Sequence, residues 1–208
     1  MLNIKALRHS YDGQMTITYP DWTVEKGNHA IILGNSGSGK TTLLHLIGGL
    51  MAPKEGILKV AGEDLSAKSN AKLDRFRGEN IGIVFQKPHL VRSLTVKENL
   101  YLSQYLSHKQ TDSKRVDEVL SRLGIEELAN RKVHQISQGQ AQRVSIARAV
   151  INSPKLLLAD EPTASLDDDN CKKVIDLLKS QAEETGATLI VATHDHRVKN
   201  EFKNQLAL

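Results

Sequence analysis

Gly34-Asn35-Ser36-Gly37-Ser38-Gly39-Lys40-Thr41 stands between an apolar run, His29 to Leu33, and a helix-like stretch, Thr42 to Ile47. The pattern is GxxxxGK[ST], the phosphate-binding loop between a strand and a helix. Glycines let successive backbone N–H groups turn inward around phosphate oxygens, and the following helix points its positive end at the same anion. Lys40 adds a point charge at the β- and γ-phosphates, and the Thr41 hydroxyl is a candidate ligand for Mg²⁺. A strand, loop and helix in this order predict a nucleoside triphosphate site at the carboxyl edge of a parallel sheet.

The rest of the chain fits that frame. Short apolar runs recur at Ile81 to Phe85, Leu156 to Ala159 and Leu189 to Thr193. Such runs, separated by helical stretches, suit strands buried on both faces of a parallel sheet. Leu2 to Leu7 and Met15 to Tyr19 alternate apolar and polar residues around Tyr11-Asp12-Gly13, which predicts two antiparallel strands joined by a turn. Between Pro88 and Asn152 the pattern is helical, near Val96 to Leu106, Ser113 to Leu123 and Gln140 to Ile151, with no good strand. Thr95-Val96-Lys97-Glu98 is a capping box that should open the first of these helices. The expected fold is α/β: a P-loop core with a mostly parallel sheet, an N-terminal antiparallel β subdomain and an inserted helical subdomain. We take residues 1–208 as one domain, with 1–86 and 153–208 as the core and 87–152 as the insertion.

Composition sets wide bounds. At 208 residues the chain suits one well-buried domain and is too short for two full nucleotide-binding halves. Its net charge of +4 comes from 28 Lys and Arg interspersed with 24 Asp and Glu, so no basic block indicates a nucleic-acid partner. The lone Cys171 excludes an internal disulfide and a multi-cysteine metal site, and fits a reducing compartment. Met1-Leu2-Asn3-Ile4-Lys5 lacks the layout of a signal peptide, and no apolar run approaches the ~20 residues that cross a bilayer. The expected location is therefore cytoplasmic, peripheral at the inner face of the plasma membrane if a partner holds the chain there.

Two further signals sharpen the chemistry. Lys155-Leu156-Leu157-Leu158-Ala159-Asp160-Glu161-Pro162 puts adjacent carboxylates at the end of an apolar strand, roughly 120 residues after the phosphate loop. Burying them is costly unless they meet a cation or a proton in transit, so Asp160 suits the metal shell and Glu161 the base acting on water. Ile136-Ser137-Gln138-Gly139-Gln140 precedes a predicted helix, Ala141 to Asn152, whose dipole would face a second anion.

At these residues the sequence resembles the ATP-binding-cassette (ABC) ATPase family over essentially its whole length. Ile136 to Gln140 matches the signature LSGGQ at four of five positions if Ile136 stands in for Leu. The resemblance implies ATP and Mg²⁺ as ligands, with Tyr11 stacking on adenine and Gly34, Asn35, Ser36, Gly37, Ser38, Gly39, Lys40, Thr41 and Thr42 around the phosphates. It makes Gln86 the glutamine that reaches the metal and the attacking water, and Asp160 and Glu161 the metal ligand and catalytic glutamate. Ser165-Leu166-Asp167 corresponds to the family's D-loop, and His194 to the histidine that contacts the γ-phosphate. It also implies that Ser137, Gln138, Gly139 and Gln140 of one subunit cover ATP held by another, hence a head-to-tail homodimer.

Two departures stand out. Gln138 occupies a position where the family usually has glycine, which narrows the approach of backbone to phosphate. Arg92 replaces a proline common in the lipoprotein-release, macrolide-export and cell-division cassettes, the group most similar around Asp74 to Gln86. The segment Gln86 to Asn99 resembles the family region that receives a transmembrane permease subunit. Asp168 and Asp169 read as dipole partners at a helix start. Two alternatives stay open: a cassette ATPase acting on DNA or ribosomes, and a P-loop kinase or GTPase, which would leave Ser137 to Gln140 without a role.

Overall fold

The computed structural model describes residues 1–11, 16–164 and 166–208. Among the described residues there are ten strands: β1 (Leu2–Ser10), β2 (Thr16–Thr18), β3 (Trp22–Val24), β4 (Ala30–Leu33), β5 (Glu55–Val60), β6 (Glu63–Asp64), β7 (Ile81–Val84), β8 (Leu156–Asp160), β9 (Thr188–Thr193) and β10 (Asn204–Ala207). Six helices accompany them: α1 (Lys40–Ile47), α2 (Asn70–Asn80), α3 (Val96–Leu106), α4 (Ser113–Arg122), α5 (Gln138–Val150) and α6 (Asp168–Thr185).

The parallel sheet has the order β10-β4-β9-β8-β7, and four of its strands, β4, β7, β8 and β9, are the predicted apolar runs. Their side chains alternate between two cores. Ile31, Leu33, Leu157, Ala159, Leu189 and Val191 face a core shared with α3, α4, α5 and α6. Ala30, Ile32, Leu156, Leu158, Ile190 and Ala192 face a second core, shared with α1, α2 and the antiparallel sheet. Burial on both faces explains why these strands read as continuous apolar runs.

In the antiparallel sheet, β1 pairs with β2, β3 and β5, and β5 with β6. The alternation predicted for Leu2 to Leu7 breaks at Ala6, where φ is 47° and the β1–β5 register shifts between Lys5 and Arg8. Opposite the bulge, Gly56 is required: a Cβ there would lie 2.4 Å from the Ala6 carbonyl oxygen. The predicted strand's Met15 and the Asp12-Gly13 turn lie outside the described residues, as does Ser165.

The helical segments fall where the pattern placed them, and the capping box forms: Thr95 Oγ1 accepts from the Glu98 amide at 3.3 Å and the Thr95 amide donates to Glu98 Oε2 at 2.7 Å. One boundary is corrected. The helix expected to begin at Ala141 begins at Gln138, because Ser137 caps it reciprocally with Gln140. Gln138, Gly139 and Gln140 are therefore its first turn. The helix lies directly against β7 at Gly82, where a Cβ would come within 2.2 Å of the Ala149 carbonyl oxygen. Among the described residues no helix is long and apolar enough to cross a membrane.

Candidate active site

Parallel register brings the predicted residues to one edge. Leu33 pairs with Thr193 across β4 and β9, and Asp160 with Ala192 across β8 and β9. The chain therefore leaves the sheet side by side at Gly34, Glu161 and His194.

The loop from Gly34 to Gly39 turns on left-handed residues, with φ of 81° at Gly37 and 96° at Gly39, which only glycine adopts freely. Asn35, Ser36 and Gly37 are exposed. Gly34 is fixed by crowding, since a Cβ would meet Ser38 Oγ at 2.5 Å and the Leu208 carbonyl oxygen at 2.7 Å. Whereas α3, α4, α5 and α6 are capped by Thr95, Asp112, Ser137 and Asp167, α1 has Gly39 at its N-cap, with no side-chain cap and no acidic residue in its first turn. Its leading amides are left for an anion.

Lys40 is 5% exposed. Its ammonium donates to the carbonyl oxygens of Gly34 at 2.8 Å and Asn35 at 3.0 Å, and lies 3.5 Å from Glu161 Oε1. Thr41 Oγ1 donates to Asp160 Oδ1 at 3.2 Å. Burial pushes the Asp160 carboxyl up, against the Thr41 hydrogen bond and the charges of His45 and Lys40, the state of an acidic group placed where a cation would repay its desolvation. No cluster of three or more His, Cys, Asp or Glu able to hold a metal exists among the described residues. One hydroxyl and one carboxylate fit Mg²⁺, which takes few protein ligands and completes its shell from phosphate and water.

Glu161 has φ 46° and a densely ligated carboxylate. Its Oε2 accepts from Thr193 Oγ1 at 2.8 Å and the His194 amide at 3.3 Å, and lies 3.0 Å from His194 Nδ1. Burial would raise its pKa, but the hydrogen bonds from His194 and Thr193 prevail and hold it below the ordinary value, so it stays ionised and able to accept a proton. His194 itself is largely exposed at the edge.

Tyr11, 61% exposed, sits 2.7 Å from Thr42 Oγ1 through its hydroxyl and edge-on to His9 with ring centroids 5.0 Å apart. An open ring face beside the first turn of α1 suits stacking on a base. Tyr19, which no motif singles out, donates to the Gly39 carbonyl at 3.2 Å. Burial, then the neighbouring Tyr11, push its hydroxyl up to about 12, so it stays a donor bracing the loop.

Not every predicted residue joins this cluster. Gln86 follows β7, exposed, and makes no side-chain hydrogen bond among the described residues. Ser137, Gln138 and Gly139 are exposed at the tip of α5, where the side chains of Ser137 and Gln140 accept from each other's backbone amides. Asp167 caps α6 through the Asn170 amide at 2.8 Å. Asp168, read as a dipole partner, also pairs with Arg197. Sequence reasoning missed Thr193 and Tyr19 because their roles rest on tertiary hydrogen bonds.

The family model described as "ABC transporter" matches residues 18–164. The lipoprotein-releasing system ATP-binding protein LolD of Shewanella frigidimarina is 37% identical over 206 residues, covering 97% of this chain and 86% of that protein. The ABC transporter ATP-binding protein YxdL of Bacillus subtilis is 36% identical over 200 residues, covering 94% and 78%. Among solved structures, a dimeric ATP-binding cassette in a post-hydrolysis state bound to ADP and Pi superposes with a TM-score of 0.89 at 35% identity, covering 100% of this chain and 94% of that one.

Proposed function

We propose, from the premise that this chain belongs to the ABC transporter family and is one of its ATP-binding, ATP-hydrolysing subunits, that two copies close head to tail over two ATP·Mg²⁺ and drive a separate membrane subunit. The observation that carries the reading is a division within one chain. Lys40, Thr41, Asp160, Glu161 and His194 converge on one sheet edge, while Ser137, Gln138 and Gly139 stand exposed and, like the half-buried Gln140, are bonded to none of them. Each chain thus offers a triphosphate cradle and an unpartnered cap.

In the closed pair the loop amides and Lys40 hold the triphosphate, and Tyr11 stacks on the base. Thr41 and Asp160 would hold Mg²⁺, which would supply charge neutralisation at the phosphates, and Gln86 would complete the site on the side of β7. Glu161 accepts a proton from water aligned with the γ-phosphate, and His194 and the opposite Ser137 stabilise the transferring group. Glu161→Gln should dimerise with ATP in light scattering; a Glu161→Gln protein that stays monomeric with ATP in the presence of its membrane partner refutes the pairing.

The partner's seat is a groove of about 1040 Å³ between the core and the helical block, bordered by Phe85, His89, Val91, Tyr105 and Leu106. Tyr105 and Leu106 are 70% and 66% exposed, an apolar pair that suits an amphipathic segment of a membrane subunit. Similarity to a lipoprotein-releasing ATP-binding protein favours export or force transmission to an extracytoplasmic domain, with no nucleic acid involved. Co-purification from detergent extract tests this: a transmembrane protein lost on Tyr105→Asp supports it, and a DNA- or ribosome-bound complex refutes it.

A further inference from the structure

Arg197 belongs to no motif of the sequence analysis, yet it closes a chain of hydrogen bonds that ends on Glu161. It lies in the 3₁₀ turn His196–Glu201 that follows β9. Its Nε and Nη2 fork onto Asp195 Oδ1 and Oδ2, both at 2.8 Å. Nη1 donates to Asp168 Oδ1, and Nη2 also reaches the Leu166 carbonyl oxygen at 3.2 Å. Every guanidinium nitrogen is therefore used, and the entry to α6 is tied to the loop that carries His194.

Asp195 transmits the tie inward. Its Oδ2 also accepts from Thr163 Oγ1 at 3.0 Å and Cys171 Sγ at 3.4 Å. Its amide donates to Thr193 Oγ1 at 3.0 Å, and that hydroxyl donates to Glu161 Oε2 at 2.8 Å. Thr163 and Thr193 are 1% and 0% exposed, so water does not compete for the inner bonds. The outer pair is different: Asp168 is 86% exposed, and exposed ion pairs contribute little to stability. A contact that weak energetically but geometrically complete is better suited to holding a direction than to holding the fold.

We propose that Arg197 is a positioning residue for ATP hydrolysis, fixing the His194 loop and, through Asp195 and Thr193, the orientation of the Glu161 carboxylate toward water. This rests on the reading of Glu161 as the base. Lysine keeps the charge but cannot reproduce the planar fork, which separates orientation from charge.

The test is steady-state ATPase kinetics and thermal melting of the full chain. Arg197→Met should lower kcat roughly tenfold, as small misplacements of a catalytic group do, with KM for ATP within about twofold of wild type because the phosphate loop is untouched. Arg197→Lys should recover little of the loss. Asp168→Asn, a change at an exposed side chain, should lower kcat severalfold, and the double variant should be no slower than Arg197→Met alone, as within one network. Wild-type kcat in Arg197→Met, a change confined to KM or melting, or full recovery by lysine would overturn the proposal. Glu161→Gln serves as the reference: wild-type turnover there removes the base assignment and this proposal with it, whereas an inactive Glu161→Gln beside a fully active Arg197→Met removes only the role of Arg197.

Discussion

Gly139→Ala separates what one chain needs from what the pair needs. Gly139 is the second residue of α5, and a Cβ built there meets nothing within 4 Å. Its φ is not left-handed, so alanine fits without strain, and replacing glycine in a helix favours folding by up to about 1 kcal/mol. The gain is smaller at an end, so the melting temperature should stay the same or rise by about 2 °C for a domain of this size. Inside one chain the substitution is thus harmless. Across the proposed interface the same methyl stands where backbone must approach a terminal phosphate, beside Gln138, which already carries a side chain. Loss of one hydrogen-bond donor to transition-state charge in other enzymes costs on the order of a hundredfold or more in kcat; partial displacement here should cost at least tenfold. Phosphate release measured against ATP, with melting on the same samples, reads both quantities. Wild-type turnover together with wild-type stability would refute the face-to-face assignment of Ser137 to Gln140.

Other substitutions probe the site and its scaffold. Glu161→Gln keeps an acceptor for Thr193 and His194, so it should melt like wild type while turnover falls by about 10²–10⁴; phosphate-release assays decide it. Asp160→Asn should raise stability near neutral pH while abolishing hydrolysis. Burial raises this carboxyl's pKa, so its ionisation costs stability once pH rises above the unfolded value of 3.8 and through the folded one, and pH-dependent melting shows whether that slope disappears. Asp195 behaves oppositely: the Arg197 hydrogen bonds hold it well below the ordinary carboxylate range, so its contribution is present above pH 3.8 and lost on further acidification. Arg197→Met should move the acid limb of unfolding to higher pH. Gly82→Ala forces α5 off β7 by about 1.2 Å to restore ordinary contact with Ala149, and should cost about 1–3 kcal/mol in urea unfolding.

Elements whose logic is local were readable in advance. The strand runs, the phosphate loop and the Thr95–Glu98 box depend on neighbours within a few positions, and the structure shows each. Ser137 and Gln140 obey the same capping rule, and applying it would have started α5 at Gln138. The antiparallel strand β5 was hidden by Gly56, whose reason is a bulge in a distant strand. Helix α2 buries only Leu73, Phe76 and Asn80, too few to print an apolar stripe. At the site, Lys40, Thr41, Asp160, Glu161 and His194 were legible because strand ends in one parallel sheet share an edge. Thr193, Tyr19 and Arg197 were not, since their partners lie in other parts of the chain.

The single cysteine of this protein, Cys171, is buried against Asp195, and burial pushes its thiol up, which slows alkylation in the native state. A maleimide can reach it only when the first turn of α6 parts from the histidine loop. Labelling kinetics at that one atom therefore time the opening of the region, with no engineered probe, and comparing the rate with and without nucleotide turns a buried side chain into a clock for the catalytic cycle.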